Sequence, residues 1–237
     1  MKLIEVKEVS KSFMDGRKKI QALKRTSFSV EAGEFVALIG PSGSGKSTLL
    51  TIVGGLQQPD EGKVLIQGEK FSEVEDKKRS KLRFDELGFV LQASNLIPFL
   101  TVRDQLRLVD KVNKEDTDPD YLQNLLEQLG IEKLANKYPA DLSGGEKQRV
   151  AIARALYHDP SVILADEPTA SLDSERAFEV VELLAESTKL NKKASIMVTH
   201  DERLVGYCDK VYRMVDGVLS LDQEMTNQTV KEAKDSK

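Results

Sequence analysis

The chain has 237 residues, 40% hydrophobic and 31% charged, a balance that can bury a core and excludes a low-complexity or disordered polymer. Its formal net charge of −4 gives no global attraction for nucleic acid or an anionic lipid surface. A single cysteine, Cys208, excludes an intrachain disulfide framework and fits a reducing compartment.

The opening stretch KLIEVKEV (2–9) alternates apolar and polar residues, as a half-buried antiparallel strand does. It lacks the apolar core of a signal peptide, and no later stretch approaches the roughly 20 apolar residues of a membrane span. A cytosolic protein is therefore expected, with any membrane role exercised through a partner. Further strands are expected around 20–30, over EFVALIG (34–40) and over KVLIQG (63–68). The continuous apolar run in FVALIG marks a strand buried on both faces. The charged stretch SEVEDKKRSKLR (72–83) reads as a solvated helix face, leading to a short strand at LGFVLQ (87–92).

The middle of the chain is helical. Thr101 and Asp104 form a start signal, followed by Val102, Leu106 and Val109 at helical spacing. Asp118-Pro119 opens another helix, with Leu122, Leu125, Leu126 and Leu129 on one face and Gly130 as its stop. In LSGGEKQR (142–149), Ser143 and Glu146 make a capping box that opens a helix running to about Tyr157. Gly144 and Gly145 let an anion approach the free N–H groups of its first turn.

Strands and helices then alternate: SVILAD (161–166), a helix near 174–189, ASIMVTH (194–200), and a hairpin over 210–220 turning at Asp216-Gly217. The pattern implies an α/β fold with a mainly parallel sheet and a helical insertion at 93–157. The polar tail, 222–237, is expected to fray.

GPSGSGKST (40–48) lies directly between a buried strand and a helix, the context in which G-x-x-x-x-G-K-[ST] is a phosphate loop. Gly40, Ser42, Gly43, Ser44, Gly45, Lys46, Ser47 and Thr48 form the expected nucleotide-binding set. Lys46 reaches the β- and γ-phosphates, and the Ser47 hydroxyl ligates Mg²⁺. VILADE (162–167) ends a buried strand with two carboxylates, which rarely serve packing because burying unpaired charge is costly. Asp166 suits the Mg²⁺ shell, through water, and Glu167 suits a general base for water attacking the γ-phosphate. His200 closes SIMVTH; lone histidines are more often structural, but this strand-end position favours a γ-phosphate contact that holds Glu167 in place. The amide of Gln92 can approach both Mg²⁺ and the γ-phosphate, and a solvated surface glutamine fits its sequence context equally well. His158 has no assignment.

These motifs, in this order, resemble the ATP-binding subunit of an ABC transporter over essentially the whole chain. The resemblance implies a P-loop NTPase core, an N-terminal antiparallel β-subdomain and an inserted α-helical subdomain, all in one ATPase domain spanning 1–237. It implies that Glu167 is the catalytic base, His200 the switch histidine and Gln92 the link between nucleotide and transporter. It also places Ser143, Gly144, Gly145 and Glu146 over the ATP of a second copy, with Asp173 (in SLD, 171–173) crossing the interface. Phe13 is the candidate for stacking on adenine, where tyrosine is common, with a place in the core as its alternative, and Glu146 stands where glutamine is frequent.

A separate permease is expected to dock near Gln92 and the apolar segment 96–100, holding the chain at the cytoplasmic face of the membrane. The stretches GFVLQASNLIPFLTVRDQL (88–106) and ILADEPTASLD (163–173) look like the macrolide-exporter, lipoprotein-release and cell-division group. LRFDELGF (82–89) and NLIPFLTV (95–102) look closest to bacterial heme-efflux ATPases, which implies export of an amphipathic compound such as heme or a peptide antibiotic. A mechanical role in cell division or lipoprotein release is the alternative, and nucleic acid is not an expected partner.

Overall fold

The computed structural model describes residues 1–16, 18–113 and 118–235. The chain opens with a long antiparallel ribbon, β1 (Lys2–Asp15) and β2 (Lys18–Glu31), then β3 (Glu34–Ile39), α1 (Lys46–Val53) and β4 (Glu61–Ile66). Next come α2 (Asp76–Glu86) and β5 (Leu87–Val90), followed by three helices: α3 (Val102–Asn113), α4 (Pro119–Gln128) and α5 (Gly144–Leu156). The last third holds β6 (Val162–Asp166), α6 (Ser174–Leu190), β7 (Ala194–Val198), β8 (Lys210–Val215), β9 (Val218–Leu221) and α7 (Gln223–Asp235).

Two sheets result. A three-stranded antiparallel sheet runs β2-β1-β4, and a six-stranded sheet runs β5-β6-β7-β3-β8-β9. In the larger sheet β5, β6, β7, β3 and β8 pair in parallel and β9 joins antiparallel at the edge. That edge pair is the expected hairpin. Asp216 (φ 46) and Gly217 (φ 76) are both left-handed, as a tight turn between twisted strands requires.

The period-2 geometry of the central strands explains their continuous apolar sequence. Phe35, Ala37 and Ile39 face one core cluster, shared with α5, α6 and the helices of 93–157. Val36 and Leu38 face another, shared with α1 and the antiparallel sheet. The first cluster runs without a break from Val102, Leu106 and Leu126 to Ile163 and Met197, so the inserted helices are packed directly onto the sheet.

The charged stretch after β4 becomes α2, none of whose residues is fully buried. Asp118 accepts a hydrogen bond from Asp120 N at 2.9 Å and caps α4. The tail differs from expectation: it forms α7. Asp222 Oδ1 accepts from Met225 N at 3.1 Å, and Thr226 Oγ1 accepts from Val211 N at 3.1 Å, docking the first turn against β8. The polar composition of the tail hides these two local anchors.

Candidate active site

The site lies beyond the carboxyl ends of β3, β6 and β7, where parallel α/β sheets receive ligands. The phosphate loop leaves β3 through glycines that nothing larger can replace. A Cβ at Gly40 (φ +145) would overlap the Met214 carbonyl oxygen, and one at Gly45 (φ +108) would overlap that of Ala22. Gly217 N donates to Ser44 O at 2.9 Å, so the β8–β9 turn buttresses the loop from below. This support has no motif of its own in the sequence.

Helix α1 starts on Gly45 with no side-chain cap and no acidic residue in its first turn, leaving its N–H groups available to an anion. Lys46 is buried and donates to Gly40 O at 2.8 Å and Pro41 O at 2.9 Å, which fixes its ammonium within the loop. The Ser44 hydroxyl is buried without a hydrogen-bond partner, an arrangement that a phosphate oxygen would satisfy.

Ser47 Oγ donates to Asp166 Oδ1 at 3.3 Å. Burial, with Glu167 adjacent, pushes the Asp166 carboxyl above the usual carboxylate range despite that bond and nearby Lys46. These are hard oxygen donors of the kind Mg²⁺ takes. Among the described residues no group of three or more His, Cys, Asp or Glu forms a metal cage. Ser47 and Asp166, with Gln92 lining the same cavity as Ser47, are the residues that would hold such a cation, and it would supply charge neutralisation at the phosphates.

Glu167 follows β6 in a left-handed conformation (φ 49), with its N–H bonded to Val198 O at 3.0 Å. That turn directs its carboxylate to His200, whose Nδ1 lies 3.1 Å from Oε2. With His200 side chain 69% exposed, the contact contributes about 0–1 kcal/mol, too little to justify a strained turn by stability alone. Gln92, Glu167 and His200 line one cavity of about 400 Å³ with the phosphate loop.

Other expected residues lie outside that cavity. Phe13 is 39% exposed on the β1–β2 ribbon, cross-strand from Ile20, with the Lys11 ammonium 5.8 Å from its ring centroid. At the start of α5 the capping box forms: Ser143 N donates to Glu146 Oε2 at 2.7 Å and Glu146 N to Ser143 Oγ at 3.3 Å. The Ser143 N–H, and after it the Ser143 hydroxyl, hold the Glu146 carboxyl below its usual range. Gly144 and Gly145 face the 171–172 loop, where a Cβ on Gly145 would come within 3.1 Å of Leu172 Cδ2. Asp173 Oδ1 accepts from Arg176 N at 3.0 Å, so within one chain it caps α6.

The expected docking segment, 96–100, lies close to an apolar groove without lining it. The groove holds about 480 Å³, and Leu56, Phe84, Phe89, Leu108 and Val112 help to line it. Leu96 packs against the core while Phe99 projects to solvent, 77% exposed. Exposed Leu108 and Val112, off the buried face of α3, were the available sequence signal for this groove. His158 sits there, its ring stacked on Phe84 at 5.9 Å and its Nε2 3.2 Å from Leu87 O.

A parallel sheet carrying this loop, with a paired carboxylate and histidine at its mouth, defines a P-loop nucleoside-triphosphate hydrolase. The ABC transporter family matches residues 23–170, more than half of the chain. A Staphylococcus haemolyticus protein, provisionally named hemin import ATP-binding protein HrtA, is 47% identical over 92% of this chain and 99% of its own length. A Staphylococcus saprophyticus protein of the same name is 46% identical over 92% and 98%.

Among solved structures, the dimeric post-hydrolysis state of the ATP-binding cassette MJ0796 bound to ADP and Pi superposes with a TM-score of 0.85. It is 36% identical, over 92% of this chain and 98% of that one. The cbiO1 protein of Clostridium perfringens, part of the ABC transporter complex cbiONQ, gives 0.82 at 32% identity, over 99% and 94%. The chain belongs to the ABC transporter family, as the ATP-binding and ATP-hydrolysing subunit of a transporter. No helix among the described residues is long and apolar enough to cross a membrane.

Proposed function

We propose that this subunit hydrolyses ATP in a head-to-tail dimer and drives a separate permease that expels heme or a similar amphipathic compound. Glu167 is the general base, oriented by His200; Lys46 and the α1 start hold the phosphates; Ser47, Asp166 and Gln92 hold Mg²⁺. Ser143, Gly144 and Gly145 close over the partner's ATP, with Asp173 nearby, and Phe13 stacks on adenine. The helices of 93–157 move as the transmitting unit, and a cytoplasmic segment of the permease seats in the apolar groove beside α3, which fixes the subunit at the membrane.

The observation that carries the catalytic reading is the 3.1 Å approach of His200 to Glu167 at the mouth of the phosphate loop. Removing a positioned general base lowers turnover by roughly 10²–10⁴-fold. Glu167→Gln is therefore expected to lose phosphate release on that scale while ATP binding stays within a few-fold. Rapid turnover by the variant would refute the assignment.

The heme class of cargo rests on relatives named for hemin. Their name says import; outward movement rests on the resemblance of 82–89 and 95–102 to efflux ATPases. Cells lacking the chain separate the two. Higher cell-associated heme and greater heme sensitivity support export, whereas slower heme uptake reverses the direction.

A further inference from the structure

Residues 91–100 join β5 to α3 without helix or strand, and they carry Gln92. Such a segment must find partners for its backbone polar groups elsewhere. Three long side chains supply them. Gln148 Nε2 donates to Leu91 O at 3.3 Å. Arg154 donates through Nη2 to Ser94 O and through Nη1 to Asn95 O, both at 2.9 Å. Gln105 Nε2 donates to Ile97 O at 2.6 Å and Leu100 O at 3.2 Å, while its Oε1 accepts from Ile97 N at 3.1 Å.

These are not incidental surface contacts. Gln105 is 1% exposed and Gln148 2%, and buried amides are retained where they are hydrogen-bonded. Asn95, between the Arg154 and Gln105 ties, is left-handed at φ 46, a conformation that persists when its surroundings over-determine it. All three side chains belong to α3 or α5, so the loop is fastened to the inserted helices, while exposed Gln92 lines the phosphate cavity. Helix α5 also begins at Ser143. At 1.5 Å per residue, about 16 Å of stiff helix links the Ser143 end to Arg154.

We propose that Gln105, Gln148 and Arg154 are positioning residues that lock the Gln92 loop to α3 and α5, so that Gln92 and Ser143 move as one piece. Each nucleotide site of the dimer then senses the other through α5. Binding energy at Ser143 shifts Gln92 only because these ties make the two arrangements differ together. This inference rests on the reading that Gln92 meets the chain's own ATP and Ser143 the partner's.

The test uses the full chain. Arg154→Met keeps the stem and its packing but removes both donors. It is expected to lower kcat about tenfold with KM within about twofold, and to abolish cooperativity in the ATP dependence. Arg154→Lys, able to reach one carbonyl, recovers part of both. Hydrogen exchange on the unmutated chain gives a second reading that no folding defect can obscure: on adding MgATP, 91–100 and the first turns of α5 gain protection together. Arg154→Met with normal melting, kcat and cooperativity overturns the proposal, as does protection of 91–100 without α5. Gln92→Ala distinguishes the failures. If it is inactive while Arg154→Met is normal, only the locking role falls; if it is fully active, the reading beneath it falls as well.

Discussion

Two helix starts in this chain are capped in opposite ways, which sets how readily each could receive an anion. Helix α1 begins on a glycine with nothing spent on its N–H groups, and a buried lysine stands beside it. Helix α5 begins on Ser143 with its box closed and the Glu146 carboxylate already in the first turn. The same backbone dipole therefore serves two purposes. In the proposed function α1 is the primary phosphate site; at α5 the dipole is partly offset by a built-in carboxylate, which would leave only the N–H groups around Gly144 and Gly145 for a second anion. A site of that kind adds to binding that has begun elsewhere.

The sharpest way to break this contrast is to add one methyl group at each start. Gly45→Ala combines a left-handed φ with overlap on the Ala22 carbonyl, and is expected to cost about 3 kcal/mol and abolish ATP binding. Gly145→Ala meets only the flexible end of Leu172, and is expected to cost about 1 kcal/mol while leaving ATP binding by the single chain intact. Thermal melting and nucleotide titration read both. Equal losses at the two positions would erase the distinction.

Asp166 tests the α1 side by a different route. Its folded-state carboxyl binds a proton more tightly than in the unfolded chain, because burial disfavours its charge. The nucleotide-free protein thus loses stability as pH rises from the unfolded pKa through the raised folded one, and the deficit persists at neutral pH. Asp166→Asn is expected to raise the neutral melting temperature by a few degrees while losing Mg²⁺-dependent turnover. A lower melting temperature would contradict the burial argument.

The smallest effect belongs to Glu146. Removing its charge while keeping an acceptor for Ser143 N, as Glu146→Gln does, makes the α5 start more receptive by about 0.3–1 kcal/mol. The ATP concentration at half-maximal dimerisation is expected to fall a few-fold, most clearly at low salt. A rise would show that the carboxylate helps closure.

The sequence made the parts with local chemistry legible. The apolar runs at 34–39 and 162–166 revealed strands buried on both faces, Ser143 with Glu146 revealed a capped helix start, and Asp216-Gly217 revealed the turn. The phosphate loop announced itself through glycines whose reasons, Met214 and Ala22, appear only after folding. What stayed hidden was long-range and specific to the folded chain. The reach of β1 to Asp15, α7 anchored by Thr226, and the ties of Gln105, Gln148 and Arg154 depend on contacts that no spacing rule encodes.

In the proposed dimer the α5 start completes an ATP site held by another copy. Light scattering on the Glu167→Gln chain at saturating MgATP tests it most directly, with Ser143→Arg added in the same background. A species of twice the 26.4 kDa chain mass is expected with Glu167→Gln alone, and a monomer that still binds ATP when Ser143→Arg is present. A monomer in both cases, or an undiminished dimer with Ser143→Arg, would contradict it.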